Sequence, residues 1–63
     1  MTIQLIGELH TELKCLGLKE GDIIRNAEQV INSTTGLVHF TTQYCGFTIN
    51  CSVWPANYKI VEP

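Results

Sequence analysis

The alternation of apolar and polar residues on either side of Cys45-Gly46 constrains this chain more than any other feature. Taken as the two-residue turn of a β-hairpin, Cys45-Gly46 sets Tyr44 against Phe47, Thr42 against Ile49, Phe40 against Cys51 and Val38 against Val53. Those pairs share one face, apolar except for Thr42. On the opposite face Gln43 meets Thr48, Thr41 meets Asn50 and His39 meets Ser52, all polar. A slip of one residue would carry every apolar side chain to the polar face, so the pattern specifies the register. Gly46 supplies the positive φ that a two-residue hairpin turn demands. Leu37–Trp54 is therefore expected to hold two long antiparallel strands.

Upstream, Leu5, Ile6, Leu9, Leu13 and Leu16 recur at steps of three and four, which predicts an amphipathic helix over Thr2–Leu16. Thr2 suits its N-cap, Gly17 its C-terminal cap and Lys14 its negative end. Gly7 weakens that helix by about 1 kcal/mol relative to Ala. A strand over Thr2–Ile6 followed by a helix from Glu8 is the alternative. Gly21-Asp22 marks a turn, and the β-branched pair Ile23-Ile24 begins a strand. Asp22 as a helix N-cap, with Ile23, Ala27, Val30 and Ile31 as a stripe, is the competing reading. Asn32-Ser33-Thr34-Thr35-Gly36 is loop-forming by composition. Beyond the hairpin, Pro55 interrupts the ladder and Lys59-Ile60-Val61-Glu62 reads as a short last strand.

The whole is one domain, a helix over 2–16 and a β-meander or small barrel over 22–61. A chain of 63 residues sits near the lower limit for independent folding, since such domains bury only about 60% of their unfolded surface. Its composition is 44% hydrophobic and 16% charged, with a mean hydropathy of +0.10. That balance leaves apolar side chains which one small core does not hide, and points to a protein partner or to a homo-oligomer. The net charge is −2, and Lys14, Lys19, Arg25 and Lys59 are scattered, which counts against a nucleic-acid partner. No signal-peptide pattern and no apolar run of about 18 residues is present, so a cytoplasmic protein without a membrane partner is expected. Three cysteines, Cys15, Cys45 and Cys51, make a complete set of internal disulfides impossible and fit reduced thiols. Chains this small are also common in phages and mobile elements.

The order of parts resembles a Src-homology-3-like small barrel: strand, long loop, three-strand meander, short 3₁₀ turn, closing strand. Gly21–Asn26, Ala27–Thr35, Leu37–Val53, Pro55–Tyr58 and Lys59–Val61 would take those roles, with the N-terminal helix extra to the fold. Pro55-Ala56-Asn57-Tyr58 is similar to the Pro-Ser-Asn-Tyr ending of eukaryotic Src-homology-3 domains. In that family the Pro and Tyr line a groove for proline-rich peptides and the Asn adds a polar contact, which nominates Pro55, Asn57 and Tyr58. The Ala-Leu-Tyr-Asp-Tyr motif, the tandem Trp and the acidic loop of that family are missing here. The Gly-Asp strand and meander also resemble the plasmid-type dihydrofolate reductases. Cys51-Ser52-Val53-Trp54 stands where their Val-Gln-Ile-Tyr run would be, without its Gln and Tyr.

Candidate chemistry is sparse. His10, His39, Cys15, Cys45 and Cys51 lack the close spacing of zinc ligands, so no metal and no cofactor is expected. Cys45 at a turn tip and Cys51 on the core face are not cross-strand neighbours and should not pair. No basic cluster activates a thiol, and Glu8, Glu12, Glu20 and Asp22 occupy ordinary surface positions. Both histidines fall on polar faces. The hairpin pattern instead sets Leu37 opposite Trp54 on the outer face next to His39. With Tyr58 these residues make a candidate binding patch, because Trp and Tyr recur at interface hot spots. A helix covering the same residues would make them core. The sequence thus favours a small, non-catalytic protein-interaction module, a modulator of a larger partner. An oligomeric small-barrel enzyme and a nucleic-acid-binding small barrel are the alternatives.

Overall fold

The computed structural model of the chain describes residues 1–30 and 34–62. In chain order it runs β1 (Thr2–Leu5), α1 (Thr11–Cys15), β2 (Ile23–Ile24), β3 (Glu28–Gln29), β4 (Val38–Tyr44), β5 (Phe47–Val53), a 3₁₀ turn at Pro55–Asn57 and β6 (Tyr58–Glu62). The strands form two three-stranded antiparallel sheets, ordered β2-β1-β6 and β3-β4-β5. The protein is mainly β, with little helix.

The β4–β5 hairpin takes the register that the alternation demands, from Val38↔Val53 through Phe40↔Cys51 to Tyr44↔Phe47. Cys45 (φ 52) and Gly46 (φ 83) both lie in the left-handed region, the geometry of a type I′ turn whose twist matches that of the strands. Only the base of the apolar face is covered. Val38, Phe40, Cys51 and Val53 are buried, whereas Tyr44 and Phe47 at the tip are exposed.

The N-terminal segment departs from the helix expected over Thr2–Leu16. Thr2–Leu5 is a strand, and the helix contracts to Thr11–Cys15. Gly7 adopts φ +71, which a right-handed helix excludes. Ile3 and Leu5 are buried while Thr2 and Gln4 are half-exposed, a period of two rather than 3.6. Burial in the middle of a sheet overrides the helical spacing: Ile3 lies opposite both Ile24 and Ile60, and Leu5 opposite Tyr58. Leu9 and Leu13 remain on one buried side, so the helical stripe survives in its second half. The first strand therefore belongs to the sheets and is not an addition to them.

Downstream, Ile23–Ile24 pairs with β1 and Glu28–Gln29 pairs with β4, so one bent segment serves both sheets. The helix that Asp22 would cap does not form. Its Oδ2 instead accepts from the Lys19 backbone N–H at 3.1 Å, closing a turn. Ala27, at the bend, is fully buried. Its backbone is clamped by Met1, whose amino group donates to the Ala27 carbonyl at 2.8 Å and whose carbonyl accepts from the Ala27 N–H at 3.2 Å. The loop expected over Ala27–Thr35 is shortened by β3, and its residues Ile31, Asn32 and Ser33 lie outside the described residues.

Ile3, Leu5, Leu9, Leu13, Ala27, Val38, Phe40, Cys51 and Val53 make one core between the sheets. The barrel does not close. Among the described residues β5 pairs only with β4, which leaves its other side as a sheet edge.

Candidate functional site

A groove of about 500 Å³ runs between α1 and β5, lined by Thr11, Leu13 and Leu16 on one wall and Ile49 to Ser52 on the other. Its far end continues past His10, Thr11, Glu12 and Ser52 to Trp54. The helix wall exists because Leu13 is anchored in the core, which holds the five-residue α1 against the sheets. Side chains from both faces of β5 line the groove. Ile49 and Cys51 come from the core face, and Asn50 and Ser52 from the outer face. The groove therefore follows the edge of the strand rather than crossing a face.

Backbone alternation decides which groups meet it. In a two-residue turn the residues flanking it, Tyr44 and Phe47, form a hydrogen-bonded pair, and bonded and non-bonded pairs then alternate along an antiparallel ladder. Thr42↔Ile49, Phe40↔Cys51 and Val38↔Val53 are thus bonded, and the N–H and C=O groups of Thr48, Asn50 and Ser52 point away from β4. The corresponding groups on β4 and at the residue just before it behave as this requires. The Leu37 carbonyl accepts from the Val30 N–H at 3.2 Å, and the Thr41 carbonyl accepts from the Asn26 amide at 3.2 Å.

The electrostatics of the groove are mild. Neither β4 nor β5 contains a Lys, Arg, Asp or Glu. Burial pushes the Cys51 thiol above its ordinary range, with the Glu12 carboxylate adding to the effect, so this thiol stays protonated at neutral pH. Glu8, nearby on the surface, is held below the ordinary carboxylate range by its hydrogen bond to Lys14 and by that ammonium's charge.

The nominated residues divide into two groups. Trp54, 45% exposed, stands at the mouth of the groove beside α1. Pro55, Asn57 and Tyr58 belong instead to a clasp between elements. The Asn57 amide donates to the Ile6 carbonyl at 3.1 Å and to the Glu8 carbonyl at 2.8 Å. The Tyr58 hydroxyl donates to the Gly36 carbonyl at 2.7 Å, and Pro55 packs on Gly36. Leu37 and His39 are half-buried, and His39 lies opposite both Glu28 and Ser52. Thr11, Glu12, Ile49, Asn50 and Ser52 were not foreseen as part of a site. The uncharged run of β5 is the one sequence signal for Ile49, Asn50 and Ser52, and it acquires meaning only once β5 is known to be an edge; Thr11 and Glu12 on α1 carry none.

Among the described residues no group of three His, Cys, Asp or Glu side chains is placed to hold a metal ion, and no helix is long and apolar enough to cross a membrane. Compared with protein-family models, curated proteins and solved structures, the chain gives no match.

Proposed function

We propose that this chain is a small non-catalytic protein-interaction module, acting in the cytoplasm as a modulator of a larger protein, and that it holds its partner at Trp54. The observation that carries this reading is the position of Trp54. The chain's single tryptophan is exposed at the end of a groove, beside His10, Thr11, Glu12 and Ser52. A large amphipathic ring next to polar rim groups is the usual composition of an interface anchor. A Src-homology-3-like barrel is the architecture we favour, supported by the meander, the bent segment shared by two sheets and the 3₁₀ turn before the last strand. On that reading the Asn57 amide and Tyr58 hydroxyl are engaged internally, and binding shifts to Trp54 and the exposed Pro55, with Leu37 and His39 behind them. Catalysis has less support, because the acids occupy exposed or half-exposed positions and burial moves the Cys51 thiol toward inertness. A nucleic-acid partner is the poorer fit for four scattered cations.

The test compares whole-chain baits in cell lysate: wild type, Trp54→Ala, and Ile60→Ala on the other sheet as a control. Partners recovered by wild type and Ile60→Ala should fall at least about tenfold with Trp54→Ala, the effect of losing a tryptophan hot spot. Equal recovery by all three baits removes the proposed surface.

A further inference from the structure

We infer that the open edge of β5 is the self-association surface of this protein, pairing antiparallel with β5 of a second copy across a two-fold axis at Asn50. Strand edges invite pairing, and proteins that remain monomeric blunt them with Lys, Pro, bulges or very short edge strands. β5 has none of these. It is seven residues long, Phe-Thr-Ile-Asn-Cys-Ser-Val, free of charge and proline, and its ladder to β4 runs without a shift in register. A groove lies along the same edge, so α1 leaves room beside the strand.

The occupant is argued from self-complementarity. The outward-directed backbone groups belong to Thr48, Asn50 and Ser52, which are symmetric about Asn50. A two-fold axis there sets Asn50 against Asn50, and Thr48 against Ser52 in both directions, which satisfies all three residues with about six N–H···O bonds. The same axis sets Phe47 against Val53 and Ile49 against Cys51, so apolar side chains meet apolar ones on the core side. Thr, Asn and Ser meet one another on the outer side. No like charges are opposed, because β5 has no charges to oppose. Phe47, 69% exposed in the single chain, gains cover, which answers the apolar excess of the composition. An unrelated extended segment would find the same backbone groups, but nothing in the groove selects one.

The experiment is sedimentation equilibrium of the full chain at low salt, from about 1 µM to about 1 mM, the range over which weak dimers dissociate. Wild type should pass from one to two chain masses. Asn50→Lys changes an exposed side chain and opposes two ammonium groups across the axis. It should weaken the dimer at least about tenfold while leaving the circular dichroism unchanged. Asn50→Pro removes the central outward N–H and should act in the same direction. Amide exchange gives a second readout: the Thr48, Asn50 and Ser52 amides should be slow at high concentration and fast on dilution. A wild type that stays monomeric throughout overturns the inference, even if those amides become protected by some other protein. So does a dimer that survives both Asn50 variants. Chain mass is read on the purified protein and partner recovery in lysate, so the two readings fail separately: a strict monomer that still recovers partners through Trp54 removes only this one.

Discussion

Gly36 is held at φ +77, with the Pro55 Cγ 2.7 Å from the place a Cβ would occupy. Two separate costs attend any side chain there. One is the left-handed backbone, about 1–2 kcal/mol for an ordinary L-residue; the other is the clash with the proline ring. Gly36→Ala should therefore lower unfolding stability by about 2–4 kcal/mol. In a urea-denaturation double-mutant cycle, Pro55→Ala should restore the steric part but not the backbone part, giving a coupling of about 1 kcal/mol. Additive effects would show that the ring and the glycine do not share space. The contact was not legible in advance. The sequence displays a loop-forming glycine and a strand-breaking proline 19 positions apart, and neither property implies the other. The internal engagement of Asn57 is of the same kind, because the carbonyls it satisfies belong to Ile6 and Glu8.

The hairpin is the element on which local chemistry and tertiary structure agree most closely. Its turn still carries one imperfection, Cys45 at φ 52. Asparagine tolerates that region better than cysteine and favours the type I′ turn before glycine. Cys45→Asn should raise stability by about 0.5–1 kcal/mol in thermal or urea unfolding and leave the register unchanged. A loss of stability would mean that the thiol makes a contact which the turn geometry does not require. The N-terminal element teaches the opposite lesson. Leu5, Ile6, Leu9 and Leu13 satisfy a helical stripe while Ile3 and Leu5 satisfy a strand, so a short apolar run supports both periods. Gly7 was the local clue. It became decisive because β2 and β6 offer β1 hydrogen-bonding partners on both sides, and a few isolated helical turns cannot match that stabilisation.

At the scale of the molecule, stability is small. With 63 residues, a domain of this kind is stable by about 3–9 kcal/mol. Leu13 is the α1 residue that reaches the core, at 3% exposure, and it also fixes one wall of the groove. Leu13→Ala should cost about 2–4 kcal/mol, a large fraction of the total, with the loss read from a urea midpoint. Leu16→Ala, at a half-buried position, should cost less. Similar midpoints for the two would mean that α1 rests on the sheets without being anchored by Leu13. The residues themselves determined the β4–β5 register, the break at Pro55, the mainly β character and the excess of apolar surface, because each follows from near-neighbour sterics or from alternation along one strand. Tertiary structure decided between the helix and the strand that the residues of Thr2–Ile6 both allow, in favour of the strand. It alone decided that this strand is central, that β5 is an edge, and that Trp54 faces α1 while Tyr58 faces Gly36. Those outcomes depend on which distant segments compete for the same backbone groups and the same core volume, and no local pattern records that competition.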